Sequence, residues 1–214
     1  MCIRDSPHTE APPPAEAGAR RAVAAALERR PEQMRLLALL AEVAPHAWIG
    51  AGFVRNAVWD ERHALPGPTP YGDIDVVLFD PADPSPAADR RLEATLATRA
   101  PRAPWSVHNL ARMHTRNHDA PYASLAEGLA HWPETATALA VRRNAGTLEV
   151  LAPLGLADLF ALIVRPTPAF LSRPEVYRAR VRAKRWTERW PRLHLENMGP
   201  EGMGPESMGP ENMD

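Results

Sequence analysis

Apolar side chains recur at intervals of three and four residues in two segments near the start of the chain. These segments are RRAVAAALERR at residues 20–30 and PEQMRLLALLAEVAP at residues 31–45. Such spacing places the apolar side chains on one face of a helix. Pro31 suits a first helical turn and Pro45 ends the pattern, so we expect two amphipathic helices.

Two short apolar runs that follow have the character of buried strands. The first, HAWIG at residues 46–50, stops at a glycine, and residues 53–63 then return to helical spacing. The second is VVLF at residues 76–79, and it carries Asp73 and Asp75 at its start. This order predicts a strand, a glycine turn and a helix, followed by a second strand with two acids at its N-terminal end.

The remaining pattern is mostly helical, with one hairpin. We expect helices at residues 89–100 and 122–132, with a short segment at 103–114 between them. The β-type runs TATALAVRR and TLEVLAP flank Asn-Ala-Gly at 144–146, which predicts a hairpin. The last part reads as helical, at residues 155–164 and 174–190.

Both ends of the chain differ from the part between them. Residues 1–18 are rich in proline and alanine without periodicity, and residues 196–214 contain a five-residue repeat, MGPEx. Because a Gly-Pro in each repeat opposes both helix and sheet, we expect a disordered leader and a flexible tail. Between them we expect a first domain at 19–155 and a helical C-terminal part at 156–195.

Composition and charge narrow the class of protein. The net charge of −1 excludes a globally basic coat for nucleic acid, and Cys2 is the only cysteine, so an internal disulfide is impossible. No apolar run approaches the roughly 18 residues of a membrane span. We therefore expect a soluble protein in a reducing cytoplasm, without a membrane partner. With Lys184 as the only lysine, a Walker A phosphate loop is absent.

The first candidate for chemistry is the turn formed by Gly50, Ala51 and Gly52. A helix that begins there would present free N–H groups and the positive end of its dipole to an anion such as a phosphate. Arg55, in the first turn, could reach the same anion. A Gly-x-Gly turn taken alone is most often only a turn.

The second candidate is the pair Asp73 and Asp75, with Glu149 as a possible companion. Side chains two apart on a strand share a face, with Cα atoms roughly 6.6 Å apart. Two carboxylates that close repel each other, so an arginine, a metal ion or water is expected between them. Glu149 lies between apolar residues of the predicted hairpin, and it either faces solvent or points at a partner.

These motifs together resemble the DNA polymerase β-like nucleotidyltransferase superfamily. AGFVRN and DID are similar to the GGxVRD and DxD signatures of the heads of CCA-adding enzymes and poly(A) polymerases. Ala51 stands at the position of the first glycine and Asn56 at that of the aspartate. A longer series of motifs from Trp48 to Leu193 resembles a family of bacterial nucleotidyltransferase-like proteins of largely undefined substrate.

The resemblance implies a fold, a reaction and a set of ligands. It implies an α+β domain with a small mixed sheet, followed by C-terminal helices. It also implies Mg²⁺-dependent transfer of a nucleoside monophosphate from a triphosphate such as ATP to an unidentified acceptor, RNA or a small molecule, by a two-metal mechanism. Asp73, Asp75 and Glu149 would hold two Mg²⁺ ions or act as base, and the residues that would bind the nucleotide are Gly50, Ala51, Gly52 and Arg55.

Several weaker candidates remain open at this point. Asn109 and Arg112 would face the nucleotide or the acceptor, or belong to a structural hydrogen-bond network. Glu134 would cap a strand or reach the site. The helix at 173–192 carries eight basic and two acidic residues, so it is either a solvated face or a patch for RNA. A non-catalytic nucleotide- or RNA-binding module on the same fold is the alternative function.

Overall fold

The computed structural model describes residues 14–196, and within this range helices surround one five-stranded sheet. The helices are α1 Pro14–Glu28, α2 Pro31–Val43, α3 Gly52–Arg62, α4 Pro86–Arg99, α5 Leu110–Asn117, α6 Leu125–Ala130, α7 Ala157–Ala161, α8 Pro174–Lys184 and α9 Trp186–Arg189. The strands are β1 Trp48–Gly50, β2 Ile74–Leu78, β3 Trp105–Asn109, β4 Ala140–Asn144, β5 Thr147–Leu151, β6 Ile163–Val164 and β7 His194–Leu195. Short 3₁₀ helices occupy Thr135–Thr137 and Pro168–Phe170.

The main sheet is mixed and has the strand order β3-β2-β1-β4-β5. Strands β2 and β3 run parallel, because α4 crosses between them, whereas β1 pairs antiparallel with both β2 and β4. The predicted hairpin is β4 and β5. The expected α+β fold with a small mixed sheet and C-terminal helices is therefore confirmed.

The two faces of the sheet carry different cores, because side chains alternate along each strand. Ile49, Val76 and Val141 point into the main core, which α1 to α4 cover. The opposite face carries a smaller cluster around Val77 and Ala140, under α5 and α6. One end of this second face is left open, and it holds the candidate site.

The C-terminal part packs onto α3 and shares the main core. The ring of Trp59 meets those of Trp186 and Trp190 edge-on, with centroids 5.9 and 5.2 Å apart. Tyr177 is also buried in this core. Apolar contact therefore joins the predicted first domain and the helical C-terminal part into a continuous interior.

The structure differs from the predicted elements at several places, and residues 135–137, expected in the first run of the hairpin, form a 3₁₀ helix instead. Helix α1 already begins at Pro14, inside the predicted leader, whose residues 1–13 lie outside the described range, as do residues 197–214 of the predicted tail. The segment at 155–164 is not wholly helical, because Leu162 is left-handed and β6 follows it and pairs with β7. The helix at 174–190 breaks at Arg185, which has a φ of 49°. Across residues 14–196 no helix is long and apolar enough to cross a bilayer.

Candidate functional site

The candidate site is a cavity of about 390 Å³ on the open face of the sheet. Strand β1 ends beside the start of β2, so the first turn of α3 lies near Asp73, just before β2, and Asp75, its second residue. Gly52, Arg55, Asp73 and Asp75 line this end of the cavity. Helix α8 lies across from them and contributes Arg180. The structure thus brings together the predicted glycine turn, arginine and aspartate pair.

Asp73 and Asp75 share one side of β2, as the two-residue spacing requires. The Asp75 side chain retains 23% of its exposure. Burial, and then the charge of Asp73, raise the pKa of Asp75, whereas His108, Arg180 and Lys184 oppose that rise. A pair of oxygen ligands whose charges are not fully balanced suits a hard divalent cation.

Asp73 and Asp75 could supply only part of the ligand shell of a Mg²⁺ ion. Among residues 14–196 no group of three or more histidine, cysteine, aspartate or glutamate side chains is placed to hold a metal ion. Mg²⁺ commonly binds through one or two carboxylates and completes its shell with water and substrate phosphates. Asp73 and Asp75 fit this mode, whereas a metal cage built from protein alone is not present in the described residues.

Glu149 does not join the aspartate pair, contrary to the sequence-based expectation. It lies on β5, and β1 and β4 stand between that strand and β2. Three strand spacings amount to about 14 Å, which is too far for shared coordination. Glu149 instead accepts hydrogen bonds from Asn144 and Arg142, both at 2.6 Å. Burial acts to raise the pKa of Glu149, but these two bonds and the charge of Arg142 together outweigh it and lower that pKa.

The two glycines of the turn, Gly50 and Gly52, have different surroundings. A Cβ on Gly50 would lie 2.8 Å from the ring of Trp132, so this glycine is required by packing. A Cβ on Gly52 would meet nothing closer than 3.5 Å, at a terminal nitrogen of Arg55. Among residues 14–196 no side chain caps the N-terminus of α3, so the first N–H groups, those of Gly52 and Phe53, remain available to an anion.

Ala51, between these glycines, has a φ of 47° and a ψ of −124°, a conformation that favours glycine. Ala51→Gly should therefore relieve strain of roughly 1 kcal/mol and raise the melting temperature by about 2–4 °C. Ala57→Gly in the same helix is the matched control, and it should lower the melting temperature because glycine weakens a helix interior. Thermal unfolding followed by circular dichroism tests both, and a less stable Ala51→Gly variant would contradict the strain argument.

Arg55 is a buried cation at the wall of the cavity. Its guanidinium lies between the rings of Trp59 and Trp186, 4.8 Å from each centroid. It donates hydrogen bonds to Oδ1 of Asn56, at 2.8 Å from Nη2, and forms no ion pair among the described residues. Burial lowers its pKa to about 10, and the charge of Glu134 opposes that change. A buried positive charge without a carboxylate partner favours an anionic ligand.

Asn109 and Arg112 belong to a hydrogen-bond network outside the cavity. The amide of Asn109 donates to the carbonyl oxygens of Asp80 and Asp83 and accepts from the N–H of Ala111, so it caps α5 and holds the loop after β2. Arg112 pairs with Asp89. Of the two alternatives left open, the geometry supports the structural network.

The cavity is also lined by residues that were not among the predicted site residues, and three of them, His108, Arg180 and Lys184, carry ionisable side chains near Asp75. His108 is there because alternation along β3 turns it to the same side as Asp75, with 3.7 Å between Nε2 and Oδ1, whereas Asn109 faces the other way. Arg180 and Lys184 come from α8. Alternation along β3 identifies His108 from sequence, but nothing local indicates that α8 reaches the site.

Comparisons with known proteins bear on the family and the fold of this chain. A family model described as Nucleotidyltransferase matches residues 41–195. A solved structure described as a CCA-adding enzyme head domain is 32% identical, with a TM-score of 0.73 over 83% of this chain and 95% of that chain. No curated protein matches the chain significantly.

Two longer solved chains share the fold at lower identity. A CCA-adding enzyme with CTP is 17% identical, with a TM-score of 0.55 over 82% of this chain and 43% of that one. The Thermotoga maritima CCA-adding enzyme with tRNA is 17% identical, with a TM-score of 0.53 over 82% and 42%. This chain spans less than half of their length. The chain therefore belongs to the nucleotidyltransferase family, and its α+β fold matches a CCA-adding enzyme head domain.

Proposed function

We propose that this protein transfers a nucleoside monophosphate from a nucleoside triphosphate to an acceptor hydroxyl, with release of pyrophosphate. One observation carries the proposal: two carboxylates, a helix N-terminus without a side-chain cap and a buried arginine without an ion pair among residues 14–196 all line one cavity. Carboxylates suit the metal that accompanies a triphosphate, and the other two groups suit its phosphates. The family membership supports the same reaction class.

Each group at the site has a distinct task in this proposal. Asp73 and Asp75 would hold Mg²⁺, which when bound neutralises phosphate charge and makes a hydroxyl easier to deprotonate. The N–H groups that open α3 and the guanidinium of Arg55 orient the triphosphate. Because Arg55 is packed between two indole rings, its charge is fixed in place before the nucleotide arrives. Catalysis is then mainly a matter of position and charge.

The acceptor is open between RNA and a small molecule. The structures at lower identity include complexes with CTP, ATP and tRNA. Those complexes belong to longer enzymes, and they support nucleotide donors of this kind and RNA as one acceptor to test. We propose a protein of the cytoplasm, where triphosphates and Mg²⁺ are available.

The test is a pyrophosphate-release assay with each of the four triphosphates, Mg²⁺, and either an RNA pool or a metabolite pool as acceptor. We expect release with at least one triphosphate, and mass spectrometry should find the added nucleotide on the acceptor. Asp73→Asn should lower release at least tenfold, because it removes a metal ligand. Glu149→Gln is the matched control and should change release less than twofold. Undiminished release by Asp73→Asn would overturn the proposal.

A non-catalytic nucleotide-binding module is the second candidate. It is favoured by one observation, the absence of a third acid beside Asp73 and Asp75 among the described residues. Such a module would show triphosphate- and Mg²⁺-dependent thermal stabilisation, but no pyrophosphate release with either acceptor pool. The same samples therefore distinguish the two functions.

A further inference from the structure

Helix α8 presents two cations to the cavity, opposite the aspartate pair. Arg180 and Lys184 are four residues apart, so they lie on one face of the helix, and both line the cavity. Burial and the charge of Asp73 raise the pKa of Asp75, and the charges of Arg180 and Lys184 partly offset that rise. Neither residue belongs to the glycine-turn or aspartate motifs, and the roles proposed above do not use them.

An ion pair with the buried carboxylate of Glu134 fixes the position of Arg180. Its Nε donates to Oε1 of Glu134 at 2.6 Å, and Glu134 is fully buried. The other carboxylate oxygen of Glu134 accepts a hydrogen bond from the hydroxyl of Thr137 at 2.9 Å. Because this contact uses the inner nitrogen, the two terminal nitrogens of Arg180 have no hydrogen-bond partner within residues 14–196. They remain free to bind a ligand in the cavity.

Lys184 stands at the rim of the cavity, one turn beyond Arg180. It is exposed and forms no ion pair in the part of the chain that the structure describes. Arg180 also lies near enough to Arg55 to lower its pKa. Cations from α3 and α8 therefore approach the same space, where Glu134 and the aspartates offset part of their repulsion and an anion with several charges would offset the rest.

We propose that Arg180 and Lys184 bind the β- and γ-phosphates of the donor triphosphate and hold the pyrophosphate as it leaves. This inference rests on the proposed function. The α3 end of the cavity and the aspartate pair orient one part of the triphosphate, and α8 supplies positive charge on the far side of it. Since negative charge builds up on the leaving group as the bond to the α-phosphorus breaks, fixed cations there favour the transition state.

The outward face of α8 does not share this task. Arg182 and Arg185 are exposed and do not line the cavity. Arg185 forms an ion pair with Glu188 one turn later. Within α8, Arg180 and Lys184 thus face the cavity, whereas Arg182 faces solvent.

Because Lys184 is the only lysine, its environment can be probed chemically in the full-length wild-type protein. Acetylation by N-hydroxysuccinimide acetate, read by mass spectrometry, reports Lys184 directly, and the N-terminal amine is the internal reference. We expect Mg²⁺ with a non-hydrolysable triphosphate, or with pyrophosphate, to slow acetylation of Lys184 at least fivefold. The corresponding monophosphate should slow it less than twofold.

The outcomes separate this inference from the function on which it rests. If the triphosphate stabilises the protein thermally but leaves acetylation of Lys184 unchanged, the phosphate contact is wrong while the nucleotide site stands. Equal protection by monophosphate would also overturn the assignment to the β- and γ-phosphates. Lack of any thermal stabilisation by triphosphates would instead refute the proposed function itself.

Binding constants of variants provide a second test. Lys184→Gln should weaken triphosphate and pyrophosphate binding about tenfold, and should change monophosphate binding less than twofold. Lys184→Arg should restore most of the loss, which a purely structural role would not explain. Arg182→Gln on the outward face is the matched control. An equal loss in the control, or no loss in Lys184→Gln, would contradict the assignment.

Discussion

Asp75→Asn is expected to abolish nucleotidyl transfer and at the same time to stabilise the metal-free protein. Loss of a metal ligand removes several kcal/mol of transition-state stabilisation, which corresponds to a rate about a thousandfold lower. In EDTA the effect on folding has the opposite sign, because burial and the charge of Asp73 disfavour the ionised Asp75 side chain. In the role that we propose, Asp75 would support catalysis at a cost in the free energy of unfolding.

The pH dependence of this stabilisation has a defined sign. The pKa of Asp75 is raised in the folded protein, so the fold favours its protonated form. Its contribution to stability is therefore present below its unfolded pKa of about 3.9 and is lost as pH rises through its folded pKa. The advantage of Asp75→Asn should appear above that folded pKa and vanish below about pH 4.

Urea unfolding in EDTA at several pH values, together with the pyrophosphate assay, checks both effects. Glu149→Gln is the control for activity, since its carboxylate lies on the far strand of the sheet and is bonded to Arg142. A variant that loses transfer and also loses stability would indicate that Asp75 is a structural residue. Retained transfer would remove the metal-binding role.

Asp60→Ala is expected to cause the largest loss of stability of any variant considered. Asp60 is 1% exposed and accepts hydrogen bonds from Arg30, from the indole of Trp190 at 2.9 Å, and from the N–H and hydroxyl of Thr69. It joins α3 to the start of α2, to the loop before β2 and to the C-terminal helices. Removal of one partner of a buried ion pair costs about 3–5 kcal/mol.

The neighbouring Glu61→Ala is the matched control for this prediction. Glu61 pairs with Arg29 at the surface, where such pairs are worth about 0–1 kcal/mol. Urea denaturation should show a large shift of the midpoint for Asp60→Ala and a small one for Glu61→Ala. Similar shifts for both would show that Asp60 does not tie the C-terminal part to the first domain.

Asp73, Asp75 and Arg55 could be predicted because their arrangement depends only on nearby residues in the chain. Asp73 and Asp75 are two residues apart at the start of an apolar strand, and Arg55 follows a glycine turn at the start of a helix. Neighbours in sequence on regular elements have a set geometry, so their shared face follows from spacing alone. The structure places all three at one cavity.

The parts of the site that could not be predicted depend on contacts between residues far apart in the chain. Glu149 was expected beside the aspartates because it is an acid on a strand, but strand order depends on how distant segments pair, and β1 and β4 intervene. Gly50 was expected to face a phosphate, yet its lack of a side chain accommodates Trp132, which lies 82 positions later in the chain. Neither the strand order nor the packing of Trp132 on Gly50 can be inferred from the residues adjacent in sequence.

By itself, then, the sequence determined the helices and strands with clear periodicity, the aspartate pair and the cationic helix start, because each depends on residues close together in the chain. Only the tertiary structure decided that Glu149 is remote and that Arg180 and Lys184 of α8 face the cavity. The physical reason is that packing of the C-terminal helices on α3, through Trp59, Trp186 and Trp190, sets where α8 lies. Such packing depends on the shape of the whole core rather than on any local spacing.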